Sequence, residues 1–153
     1  RFLYPLDKSI NFIFNKFFRK ITKNKNQSKK ILEVKGRKLE LENFYDRIVK
    51  FKFSELCDRN LGSEDYLSIA NNCDFIFIEN LPDFNENNSN QQQRFITLID
   101  IIYEKKSKLV IRAEKNIDDI FILKKNKELP FLRTASRIKE MTSKDWVKKE
   151  KEN

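Results

Sequence analysis

The chain has 153 residues, with 32 Lys+Arg against 23 Asp+Glu, a formal net charge of +9 and no histidine. That length suits one domain with a real core, and the basic balance suits nucleic acid, an acidic protein or an anionic membrane surface, although a solvated lysine-rich surface is the plainer reading. Without histidine, and with Cys57 and Cys73 lacking metal-ligand spacing, a zinc site, a Ser-His-Asp triad and a Cys-His pair are excluded within this chain.

In chain order, Asp7 caps an expected helix whose apolar face is Ile10, Ile13, Phe14, Phe17 and Ile21, with Lys16, Arg19, Lys20 and Lys23 elsewhere on the wheel. A membrane-surface helix fits this pattern. A helix packed on a sheet is the preferred reading, because aromatic stripes usually mean core. After a polar, basic loop (24–30), the alternation of 31–34 and 38–41 around Gly36 predicts a β-hairpin. A longer connection (42–46) leads to a period-two strand over 49–53, with Lys50 and Lys52 expected to face solvent or an acidic partner. Ser54 is an expected cap for a short turn, and Gly62-Ser63 opens a helix running to Asn71-Asn72, with Asp65 in its first turn.

Next come Phe75-Ile76-Phe77-Ile78-Glu79 and, later, Lys108-Leu109-Val110-Ile111-Arg112. Both are short apolar runs suited to strands buried on both faces of a parallel sheet. Between them an Asn/Gln-rich surface loop (81–92) precedes a helix beginning near Gln91, on which Phe95, Leu98, Ile99 and Ile102 form one stripe. The strand, helix and strand make a right-handed βαβ unit in an α/β fold. Function in such sheets collects at the carboxyl ends of the strands, which here present Glu79 and Asn80, then Arg112 and Glu114. Arg94, a cation in the first turns of a helix, is expected to meet an anionic partner elsewhere. Asn116 caps a short helix (117–121), a lysine-rich turn ends at Pro130, and 133–141 is a further helix with Arg133 and Arg137 at i and i+4. Two such arginines usually meet anions, either carboxylates or phosphates. Ser143 caps a last charged helix containing Trp146.

Several absences complete the reading. Gly36 and Gly62 are the only glycines, so no G-x-x-x-x-G-K-[ST] loop exists to cradle phosphates. No apolar run approaches a membrane span and no signal-peptide pattern is present, which leaves cytosolic thiols as the simplest expectation. The sequence opens at Arg1 and its one methionine is Met141; the expectation is a fragment whose missing part lies upstream.

Three stretches together resemble the ZapE-type cell-division ATPases, also called AFG-one-like ATPases, of bacteria and mitochondria. They are Phe51-Lys-Phe-Ser54-Glu55-Leu56-Cys57-Asp58 running into Leu61-Gly62-x-x-Asp65-Tyr66-Leu67-x-Ile69-Ala70; Ile76-Phe77-Ile78-Glu79 running on to Arg94-Phe95-Ile96-Thr97-Leu98-Ile99-Asp100; and Arg133-Thr134-x-Ser136-Arg137-x-x-Glu140-Met141. The resemblance implies a partial P-loop NTPase-like sheet, with residues 1–153 as the C-terminal portion of an AAA-plus-like ATPase domain whose Walker A and Walker B elements lie in the absent half. For the complete protein it implies ATP and Mg²⁺ as cofactors. It also implies FtsZ as bacterial partner, a cytoplasmic place peripheral to the division site, and a mitochondrial quality-control role as the alternative. A homo-oligomer is also compatible. The chain departs from the family pattern at Asn80, where a second acid is usual, at Gln93, where a basic residue is usual, and at Arg112, where a small residue is usual.

On this basis Glu79, Arg133 and Arg137 are the candidate catalytic residues, Arg94 and Arg112 the candidate cofactor-binding residues, and no metal ligand is assigned. Glu79 resembles the acid of a Walker B-like strand, yet pairing with Arg94 or Arg112 is the preferred reading. Arg133 and Arg137 either reach a nucleotide or neighbouring subunit, or join an internal network with Asp100 and Glu140. The runner-up function is a free-standing basic module for nucleic acid or an acidic protein, using Lys50, Lys52 and the 23–30 loop.

Overall fold

The structure, a computed structural model, describes residues 1–120, 129–144 and 146. Its strands are β1 (Phe2–Leu3), β2 (Ser28–Val34), β3 (Arg37–Tyr45), β4 (Ile48–Lys52), β5 (Phe75–Leu81) and β6 (Lys108–Ala113). The helices are α1 (Lys8–Thr22), α2 (Phe53–Cys57), α3 (Ser63–Asn72), α4 (Ser89–Glu104), α5 (Ile117–Ile120) and α6 (Leu129–Met141). One six-stranded sheet runs in the order β1-β6-β5-β4-β3-β2. β1, β6, β5 and β4 are parallel, and the β2–β3 hairpin is added antiparallel on β4. This is the expected mixed α/β architecture, consistent with part of a P-loop NTPase-like fold.

Side-chain alternation splits the core into two layers. Phe75, Phe77 and Val110 point to the side covered by α1, whose Phe14 and Phe18 close over them. Phe14 and Phe18 meet the Phe77 ring edge-on at 5.6 and 4.9 Å. Ile76, Ile78, Leu109 and Ile111 point the other way, into a larger core with the stripe of α4. Phe95, Leu98, Ile99 and Ile102 are all fully buried there. Asp7 caps α1 as expected, its carboxylate accepting the Ile10 amide at 2.8 Å.

Several expectations are corrected. The 42–46 segment is not a loop: β3 continues through Tyr45, and Asp46 and Arg47, both at positive φ, turn directly into β4. Buried Phe44 holds that extension in the core, and Arg47 is anchored by a fork of hydrogen bonds to Asp74 at 2.8 and 2.9 Å. Phe53 begins α2 instead of ending a strand, and the helix is opened by the Lys52 amide donating to the Glu55 carboxylate at 2.9 Å, not by Ser54. The Asn-rich stretch is shorter and better ordered than a loop. The Asn85 side-chain oxygen accepts from the Asn87 amide, the Asn88 side chain accepts from the Asn85 amide, and a single 3₁₀ turn (Glu86–Asn88) leads into α4 at Ser89. β1 was not legible, being only two residues long. Asn116 does cap α5. Phe121, the lysine-rich turn up to 128 and residues 145 and 147–153 of the last charged segment lie outside the described residues.

Candidate functional site

The sequence candidates fall into two separate groups. The first lies where β4, β5 and β6 end. Following Phe77 by two positions, Glu79 emerges on the α1 side of the sheet, and the same parity brings Lys50 after Ile48 and Arg112 after Val110. The Glu79 carboxylate lies 3.3 Å from the Lys50 ammonium and 3.6 Å from the Arg112 guanidinium. Glu79 sits opposite Lys52 in the backbone register, but its side chain turns diagonally to Lys50, a reach that neighbouring strands allow. Both cations also lie over aromatic rings of α1, Lys50 above Phe18 at 4.8 Å and Arg112 above Phe14 at 5.1 Å.

The pairing of Glu79 with Arg112 is therefore present, and the pairing with Arg94 is not. Lys50 corrects the sequence reading: it faces neither open solvent nor an outside partner, because α1 covers that side of β4 and Glu79 supplies the counter-charge. Asn80 follows with φ +61°, at a register shift between Ile78 and Leu81. Such a bulge redirects the strand end, and the Asn80 side-chain oxygen accepts from Arg112 at 3.0 Å. Arg112 is 7% exposed, and its Nε has no hydrogen-bond partner.

Arg94 sits apart, donating to the Cys57 carbonyl at 2.9 Å. The expected anionic partner is instead the last carbonyl of α2, one of the orphan acceptors at a helix end that a guanidinium satisfies. A cavity of about 320 Å³ opens near these strand ends, lined among others by Lys52, Ser54, Asp58, Asn80, Asn88 and Gln91.

The second group binds α6 to α4. Arg137 meets Asp100 at 2.7 Å and Glu104 at 3.8 Å, and its guanidinium lies 4.6 Å from the Tyr103 ring centre. Arg133 reaches the same Asp100 at 3.6 Å. One carboxylate thus relieves the repulsion of two cations spaced i, i+4. Glu140 joins through the Tyr103 hydroxyl, which donates to it at 2.8 Å and whose pKa that bond raises. Trp146 stacks on Tyr103 at 5.2 Å and donates its indole N–H to the Ser107 carbonyl at 2.8 Å. α4 runs back from the end of β5 to the start of β6, and Asp100 lies roughly 16 Å along it. The arginines are therefore near the opposite end of the strands from Glu79, and the fold does not gather the three candidate catalytic residues at one point.

Asp65 and Tyr66, which by sequence fix the loop after Gly62, do so here, and the partner that sequence reasoning missed is Arg37. Asp65, 2% exposed, accepts from the Gly62 amide at 2.8 Å and from the Arg37 guanidinium at 2.9 and 3.1 Å, tying the hairpin tip to the start of α3. The Tyr66 hydroxyl beside it donates to the Leu56 carbonyl at 2.7 Å. Arg37 is distant in sequence and in an exposed-looking turn, so no local signal links it to Asp65.

The sequence has no glycine-rich loop, no group of His, Cys, Asp and Glu among the described residues could hold a metal ion, and the Glu79 carboxylate is already engaged by two cations. No helix among the described residues is long and apolar enough to cross a membrane.

A mostly parallel sheet covered on both sides, with an acid and an arginine at adjacent strand ends, is consistent with part of a P-loop NTPase-like fold. The family model for AFG1-like ATPases matches residues 1–150, and the chain belongs to that family. It is similar to "Cell division protein ZapE" of Escherichia coli K12, with 26% identity over 148 residues, covering 97% of this chain and 39% of that one. It is also similar to "Lactation elevated protein 1 homolog B" of Danio rerio, with 37% identity over 89 residues, covering 58% of this chain and 18% of that one. The chain thus aligns with well under half the length of either relative. No solved structure matches it.

Proposed function

We propose that this chain works as the C-terminal part of an ATP-hydrolysing protein whose phosphate-gripping loop and Mg²⁺ site lie outside residues 1–153. The observation that carries the reading is a family match over nearly the whole chain in a sequence that holds no loop able to grip phosphate. By analogy with the cell-division relative, the complete protein acts at the bacterial division ring with FtsZ as partner; a mitochondrial site of action is the alternative. Within the chain, Arg133 is the better candidate to reach a nucleotide or a neighbouring subunit. Its side chain is 55% exposed and its Asp100 contact is long, whereas Arg137 is mostly covered and held by Asp100, Glu104 and Tyr103.

The test compares the isolated chain with the product of its complete reading frame. The complete product is expected to hydrolyse ATP, and the isolated chain to bind no fluorescent ATP analogue. Arg133→Ala in the complete product is expected to lower kcat on the order of a hundredfold or more, with circular dichroism unchanged. Hydrolysis by the isolated chain, or none by the complete product, overturns the proposal. Unchanged turnover in the variant removes Arg133 from it.

A further inference from the structure

α1 buries one side only. With about 3.6 residues per turn, Phe14, Phe18 and Ile21 face the sheet, while Lys8, Phe12, Ile13, Lys16, Arg19, Lys20 and Lys23 project outward. Phe12 is 60% exposed and Ile13 39%, and Tyr4 and Leu6, in the segment leading into the helix, are 43% and 39% exposed. Phe12 and Ile13 are neighbours on the outward side of the helix, and exposed apolar groups of this size set together mark an interaction site more often than chance. The helix contains no acidic residue, and none of these five cations is paired with a carboxylate among the described residues. That sets them apart from Lys50, Arg112, Arg133 and Arg137, which all have one.

We propose that the outward face of α1 docks on an anionic lipid bilayer. Phe12, Ile13 and Leu6 enter the boundary between headgroups and acyl chains, and Lys8, Lys16, Arg19, Lys20 and Lys23 meet lipid phosphates. Three features select a bilayer over other polyanions. First, among the described residues α1 is the outermost layer on its side of the sheet, so it presents a ridge that can lie flat on a surface. Second, its apolar side chains protrude from that ridge, as insertion into a soft interface requires; a phosphate backbone would satisfy the lysines and leave Ile13 and Leu6 in water. Third, the long lysine stems can lie along the inserted groups while their ammonium ends stay at the phosphates. The proposal is independent of nucleotide hydrolysis and rests on α1 alone.

The experiment is co-sedimentation of the intact chain with vesicles of phosphatidylcholine mixed with phosphatidylglycerol, and with vesicles of phosphatidylcholine alone. Binding is expected to the mixed vesicles only, weakening as salt rises. Lys16→Glu with Lys20→Glu changes the face by four units of charge and is expected to lower the partition coefficient by roughly 600-fold, at about fivefold for each unit. Phe12→Ser is expected to lower it about tenfold. All three positions are exposed, so native circular dichroism should persist in both variants. Absence of binding to the mixed vesicles overturns the proposal. So does vesicle binding that ignores Phe12→Ser, alongside equal retention of duplex DNA by wild type and variant, since that outcome describes a plain polyanion-binding surface.

Discussion

Glu79→Gln isolates the electrostatic logic of the strand-end cluster. The substitution keeps shape and volume but removes the one negative charge between Lys50 and Arg112, whose side chains are only 23% and 9% exposed. Removing one partner of a fully buried pair costs about 3–5 kcal/mol, mostly because the surviving charge is left uncompensated. Here the contacts are 3.3 and 3.6 Å, longer than the ~2.8 Å of a tight charged hydrogen bond, and Lys50 retains some water. The expected loss is therefore about 2–3 kcal/mol. Arg112→Met should behave differently. It removes a buried cation whose Nε has no partner, keeps an apolar side chain against Phe14, and leaves Glu79 with Lys50, so a cost of about 1 kcal/mol or less is expected. In the double variant the two changes should compensate by at least about 1 kcal/mol. Urea unfolding at neutral pH, with the m-value checked for constancy, measures all three. The reasoning fails if Glu79→Gln lies within about 0.5 kcal/mol of wild type, the range of an ordinary surface change, or if Arg112→Met costs as much.

Two further outcomes follow from other parts of the fold. Asp65→Ala removes the acceptor of both the Gly62 amide and the Arg37 fork, and should cost about 2–3 kcal/mol in the same unfolding assay; Arg37→Ala, on a side chain 54% exposed, should cost less. Burial pushes the Cys57 and Cys73 thiols up to about 12 from an ordinary value of 9.0, so both should resist a thiol-reactive dye in the native chain at neutral pH and react after unfolding. Because the folded state holds these protons more tightly than the unfolded one, the associated stability is intact below pH 9 and is lost as pH rises towards 12. Rapid labelling of either thiol without unfolding would contradict the packing around it.

The parts of this protein that a reader of residues could foresee are those where pattern and packing coincide. The βαβ unit was legible because Phe95, Leu98, Ile99 and Ile102 repeat at the helical period and 75–78 and 108–111 form apolar runs too short for helices. The hairpin at Gly36 and the Asp7 cap were legible because each depends on neighbours a few residues away. The family motifs also pointed to Glu79 and the two arginines as a set. What the chain alone could not decide is which residues from distant segments share a partner. Lys50 reads as an exposed charge until α1 is seen to cover its side of β4. Arg94 reads as seeking a carboxylate until α2 offers it a bare carbonyl. Arg133 and Arg137 read equally well as facing phosphate or as joining Asp100, and only the packing of α6 on α4 shows both at that carboxylate. Periodicity records which face of an element is apolar, since burial acts residue by residue along that element. The pairing of charges depends on how separate elements are stacked, and that is set only when the whole core closes.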